Sequence, residues 1–212
     1  MDADMLVLKD IREVWEAPFD GATVLHCPSA RPDKYQPQFS MMLLDCASLT
    51  WKVDEIITEG LDAGRFDYDQ LIKGMCIEPK EKVRASLPYY WNSLELYEPG
   101  KTGNIHYTEM KRQPWLNARN RIGHVWVKYL KDALADGWVT REEVREAQAK
   151  GFARPSLLKQ VDEVPPAFWR IWGETRARRI DDGFVPHNDL ETRKQKVIAQ
   201  GVQAAGTPGT NA

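Results

Sequence analysis

Strand-length apolar runs occur in this chain only before residue 110. Met5 to Leu8 and Ala22 to Cys27 are two of them. Gln38 to Cys46, centred on Phe39-Ser-Met-Met-Leu-Leu44, is the third. Between them apolar residues recur at helical spacing. Ile11, Val14 and Trp15 do so before a break at Pro18 and Gly21. Trp51, Val53, Ile56, Ile57 and Leu61 do so across 48–61, with Gly64 as a stop. Phe66 to Gly74 reads as a short helix or turn, and Asn104 to Thr108 as a last strand. After that only helical patterns remain: Ile122 to Trp138, then a helix opened by Thr140-Arg-Glu-Glu143, an N-cap with glutamate three residues on. Strands alternating with helices, followed by helices alone, predict an α/β core with a helical C-terminal extension.

The length of 212 residues allows one good core with an extension. Glu78 to Gly103 is rich in Pro, Tyr, Trp and Asn and reads as an ordered loop with little regular structure. A boundary is expected near Gly151 to Pro155. Residues 1–150 then form the core domain, 151–203 the helical extension, and 204–212 a small, polar, disordered tail. Net charge is −2, which gives no electrostatic case for nucleic acid or an anionic membrane. Cys27, Cys46 and Cys76 are odd in number and widely spaced, which favours a reducing compartment. With no leader and no apolar span, the expected location is cytoplasmic and no transmembrane segment is expected. Arg176, Arg178 and Arg179 read as a solvated helix face.

Asp2 and Asp4 stand directly before the first apolar run. Two carboxylates so spaced offer hard oxygen ligands for Mg²⁺ or Mn²⁺ bridged to a diphosphate. The other reading is two solvated acids. His106, in the stretch His106 to Trp115, adds an imidazole, which shifts such a site toward Mn²⁺. Lys111 and Arg112 follow and can neutralise phosphate, or serve as ordinary loop charges. Asp69-Gln70 can orient a sugar or support developing positive charge, or cap a helix. Trp91-Asn92 pairs an aromatic platform with an amide donor, or simply forms a turn. His26, His124 and His187 have no partners at metal spacing.

The order of these segments resembles the nucleotide-sugar glycosyltransferases of family 8, the glycogenin-like and bacterial galactosyltransferase-like group. Met1-Asp-Ala-Asp-Met-Leu-Val-Leu8 is similar to that family's DxD segment. Gln38 to Cys46 is similar to its following strand, Asp69-Gln70 to its Asp-Gln pair, and Tyr90-Trp91-Asn92 to its aromatic-Asn loop. His106 to Trp115 is similar to its His loop closing on Pro-Trp. The match spans about residues 1 to 130. Met41 stands where the family has glycine in the second strand motif. Glu109 and Met110 replace the loop glycine, the loop has one extra residue, and Gln113 stands where a basic residue precedes Pro114-Trp115.

The resemblance implies a partial GT-A fold, with the nucleotide-binding βαβ half that family members carry before the DxD missing. It implies Mn²⁺, or Mg²⁺, held by Asp2, Asp4 and His106. It implies a nucleotide-sugar donor, expected to be a UDP-sugar, contacted by Lys111, Arg112 and Asn92. Asp69 and Gln70 are the residues expected to support the anomeric centre, and transfer is expected with retention. The acceptor is open among glycan, lipid-linked sugar and protein. The alternative expectation is a non-catalytic carbohydrate- or partner-binding module on the same scaffold, with an oligomer partner covering any exposed sheet edge.

Overall fold

The computed structural model describes residues 4–30 and 39–189. It is a mixed α/β chain that divides into two compact units, residues 1–108 and 109–212.

The first unit holds every strand among the described residues. These are β1 (Met5–Val7), β2 (Val24–His26), β3 (Met42–Leu44), β4 (Val83–Arg84), β5 (Ser93–Leu94) and β6 (Asn104–His106). They form two three-stranded sheets, in the orders β1-β6-β5 and β3-β2-β4. Each sheet combines one antiparallel and one parallel pairing: β6 runs against β1 and along β5, and β2 runs against β3 and along β4. The central strands β2 and β6 are buried throughout, while the edge strands β1 and β3 are half-buried. A strand flanked on both sides loses solvent on its edges as well as its faces.

The core of this unit gathers Val14, Ala22, Leu25, Cys27, Met41, Leu87 and Trp91. Val14 comes from the short helix α1 (Arg12–Trp15). Trp91 is wholly buried, and its indole covers Gly103 so closely that a Cβ there would lie 2.7 Å from the ring. The indole N–H donates to Glu13 Oε2 at 2.8 Å, and Tyr90 Oη donates to Glu13 Oε1 at 2.5 Å. The Trp91 side expected to present an aromatic platform is therefore inside the core. Tyr89 and Tyr90 are the half-buried rings of that loop.

The helical pattern at 48–61 forms later and wider than its spacing predicts. Helix α2 (Val53–Glu55) runs on into a π-helical stretch, Ile56–Asp62. Five residues per hydrogen-bonded ring break the regular face, and Val53 and Ile57 are left exposed. Gly60 fits against the Phe66 ring at a distance that no side chain could share. Gly64, at φ +68°, ends the segment. Helix α3 (Tyr68–Gly74) follows.

The second unit is helical. Its elements are α4 (Gly123–Ala135), α5 (Arg141–Ala149), α6 (Leu157–Glu163), α7 (Trp169–Thr175) and α8 (Ala177–Ile180). Its core gathers Val127, Val144, Ala153, Leu157, Val161, Val164 and Trp169. Thr140 and Glu143 form the expected capping box ahead of α5. The stretch 151–155, expected as a boundary, lies inside this unit. Arg154 is wholly buried there, donating from Nε to the Pro114 carbonyl at 3.0 Å, from Nη1 to Ser156 Oγ at 2.5 Å, and from Nη2 to Gln160 Oε1. Residues 190–203 of the expected extension and the tail 204–212 lie outside the described residues. Among the described residues no helix is long and apolar enough to cross a membrane.

Candidate functional site

The β1/β6 ladder sets the register Met5↔His106, Leu6↔Ile105 and Val7↔Asn104. Beyond the strand end the Tyr107 amide still donates to the Asp4 carbonyl at 3.0 Å. Strict alternation would put Asp4 and His106 on opposite faces, because they are diagonal neighbours one residue out of step. Asp4, however, lies in a turn ahead of the strand. Its carboxylate reaches the imidazole: Asp4 Oδ1 is 3.0 Å from His106 Nε2. The histidine side chain is 6% exposed and the aspartate side chain 20%. Asp4 thus stands in the turn directly before β1, where its position ahead of the apolar run at Met5 to Leu8 puts it.

This spacing is that of a direct carboxylate–imidazole pair, and two ligands of one cation can stand as close. Two neighbouring ligands on an octahedral ion with bonds of about 2.1 Å stand about 3 Å apart. A carboxylate and an imidazole are also a donor set that Mn²⁺ accepts. Asp2, the third expected ligand, lies outside the described residues. Among the described residues no cluster of three or more His, Cys, Asp or Glu side chains could hold a metal.

The Leu94–Glu95 segment lies against this ladder end, since the β5 register sets Leu94 opposite His106. Buried Asn92 continues the same register to Asn104, at the other end of β6. Glu95 donates its backbone N–H to the His106 carbonyl at 3.1 Å and has φ +49°. A left-handed backbone at a non-glycine residue is strained, and such residues concentrate at functional sites. Sequence reasoning passed over Glu95 because nothing in the stretch Leu94-Glu95-Leu96 signals that conformation.

The remaining expected residues are held elsewhere. Asp67 N-caps α3: its Oδ1 accepts the Gln70 N–H at 2.7 Å, and Gln70 Oε1 accepts the Asp67 N–H at 2.8 Å. Asp69 pairs with Lys73 one turn on, at 2.5 Å. Asp69 and Gln70 therefore serve an exposed helix start in this structure. Lys111 and Arg112 belong to the second unit, so the stretch His106 to Trp115 is divided between two units. Arg112 lies 3.5 Å from Glu109. The turn that carries both cations is fixed by Asn117 Nδ2 donating to the Lys111 carbonyl at 3.4 Å and Asn120 Nδ2 to the Arg112 carbonyl at 2.7 Å.

The other histidines have structural surroundings. His26 lies 3.1 Å from the Cys27 carbonyl and 4.5 Å from the Phe39 ring, and burial lowers its pKa. Burial and the Arg170 charge lower that of His124. His187 packs edge-on against Phe152.

No protein-family profile, curated protein or solved structure matches the chain.

Proposed function

We propose that this chain is a glycosyltransferase of the family-8 kind, moving a sugar from a nucleotide-sugar donor, a UDP-sugar by the resemblance, to an acceptor. The observation that carries the reading is the approach of Asp4 to His106, 3.0 Å apart although they come from opposite ends of the first unit. Asp4 and His106, with Asp2, would hold one divalent cation, Mn²⁺ or Mg²⁺. That ion supplies the positive charge that offsets a departing diphosphate. The chain's own residues orient it. The β1/β6 ladder fixes the imidazole, the turn ahead of β1 aims the carboxylate, and the Glu95 backbone borders the same ladder end. In this reading the scaffold is of the GT-A kind, and transfer retains the anomeric configuration. Glycan, lipid-linked sugar or protein would be the acceptor.

The test is donor turnover and Mn²⁺ binding on the same preparations. Asp4→Ala and His106→Ala are expected to lower Mn²⁺-dependent UDP-sugar hydrolysis or transfer by about 100-fold or more, since each removes a ligand. Both are expected to weaken Mn²⁺ in calorimetry. Unchanged turnover and unchanged Mn²⁺ affinity in both variants would sink the assignment.

One observation favours a second reading, a carbohydrate- or partner-binding module without turnover. Asp69 and Gln70, the pair that the resemblance assigns to the anomeric centre, are engaged in an exposed ion pair and a helix cap. Metal-dependent UDP binding with no hydrolysis or transfer for any acceptor class would select this reading over the first.

A further inference from the structure

The second unit contains a cavity of about 280 Å³ bordered by Lys111, Arg119 and Arg178 together with Asp181 and Asp182. Its construction is specific. Arg119 sits in a turn closed by its own N–H donating to Asn117 Oδ1 at 2.9 Å. Helix α7 approaches that turn through Gly173, where a Cβ would lie 2.2 Å from the Ala118 carbonyl oxygen. Only a residue without a side chain permits this approach. It brings Arg119 to the same hollow as Arg178 on α8.

The charges around the hollow do not balance. Asp181 is turned to the interior: its Oδ1 accepts the Ser156 N–H at 2.8 Å and its Oδ2 accepts the Ser156 hydroxyl at 2.7 Å. Its negative charge also acts on the buried Arg154 guanidinium, whose pKa burial lowers to about 10. That inner pair is neutral as a unit. Asp182 alone then faces Lys111, Arg119 and Arg178. None of the three cations is ion-paired with a carboxylate among the described residues. Three cations against one carboxylate leave an excess of two positive charges at one concavity. The charge of a phosphate monoester matches that excess, and two guanidinium forks suit its oxygens.

We propose that this hollow is a phosphate-binding site, in which Arg119 and Arg178 grip a terminal phosphoryl group and Lys111 adds charge. Its ligand class is a phosphate monoester, free or as a lipid headgroup. The inference needs only the second unit and does not rest on the transferase reading.

The test uses the full chain with two probes. One is inorganic phosphate, followed by calorimetry and by the arginine Nε–H signals in NMR. The other is co-sedimentation with phosphatidylcholine vesicles, with and without phosphatidic acid. The expected result is phosphate-dependent shifts at Arg119 and Arg178, and an affinity loss of about tenfold in each of Arg119→Gln and Arg178→Gln, as for losing one charge-assisted hydrogen bond. Both arginines are exposed, so the folded chain should survive these changes. Asp4→Ala should bind phosphate as the unaltered chain does. Binding to free phosphate supports a soluble ligand. Binding only to phosphatidic acid vesicles, lost in the same two variants, supports a headgroup. Binding to neither probe, or equal binding by the double variant, would overturn the proposal. So would loss of phosphate binding in Asp4→Ala, which would assign the anion to the first unit.

Discussion

Gly103 shows how much one residue's missing side chain can decide. The carbonyl of this residue accepts the Leu8 N–H at 2.8 Å, and its own N–H donates to the Tyr90 carbonyl at 2.9 Å. Its Cα faces the buried Trp91 indole with no room for a methyl group. Gly103→Ala must push back a ring that is already wholly enclosed. We expect a loss of about 1–3 kcal/mol in urea denaturation, from overpacking. A variant as stable as the unaltered chain would show that the ring can move. The thiols give a second residue-scale outcome. Burial pushes the Cys27 thiol up to about 12, so it is neutral at any ordinary pH and enclosed. Cys46 and Cys76 are exposed. A thiol reagent at pH 8 should modify these two in the folded chain and Cys27 only after unfolding. Rapid modification of all three would contradict the packing around β2.

At the scale of elements, the local rules act where the chain is short of other support. Helix α5 is nine residues long and buries only Val144 among them. Its start depends on the reciprocal bonds of the capping box: Thr140 Oγ1 accepts the Glu143 N–H at 3.2 Å, and Glu143 Oε2 accepts the Thr140 N–H at 2.8 Å. Thr140→Ala should cost about 1 kcal/mol, read as a fall in the urea midpoint with an unchanged slope. The Thr140 N–H, and after it the Thr140 hydroxyl donating to Glu143 Oε2 at 2.8 Å, hold the Glu143 pKa below its usual range. A depressed folded-state pKa means that this contribution is present above the unfolded value of a glutamate. It is lost as pH falls through the lower folded value. The effect is small, because the group is exposed to solvent. The capping boxes at Asp67–Gln70 and Thr140–Glu143 each lie within four consecutive residues of the sequence. The strand pairings do not. β3 and β1 present similar apolar runs, yet they belong to different sheets. An apolar run states that a strand will be buried, and carries no information on which neighbour it pairs with.

At the scale of the molecule, two units with separate cores divide what the sequence offers as continuous motifs. His106 closes the first unit while Lys111, Arg112, Pro114 and Trp115 open the second. The Pro114 and Trp115 carbonyls are held from within that second unit by Arg154, the latter accepting its backbone N–H at 2.7 Å. In the first unit, Asp4 and His106 join β1 to β6. A cation bound there would bind the folded ladder and not the unfolded chain. Under the proposed function, Mn²⁺ at about a hundred times its dissociation constant should therefore stabilise the chain by about 2.7 kcal/mol. Asp4→Ala and His106→Ala should abolish that increment, along with turnover.

The sequence by itself determined the elements whose causes are local. These are the apolar runs that became β1, β2, β3 and β6, the two helix caps, the glycine stop at Gly64 and the helices after residue 110. Each depends on residues within one helical turn or one strand, so its signal is complete in a short window. The tertiary structure alone decided which distant residues meet. It brought Asp4 to His106 and placed Trp91 inside the core on Glu13 and Gly103. It also set Arg119 beside Arg178 through the close approach at Gly173. These meetings depend on strand pairing, on the turn ahead of β1 and on helix packing. Their energies come from contacts between segments far apart in the chain, where no local pattern records them.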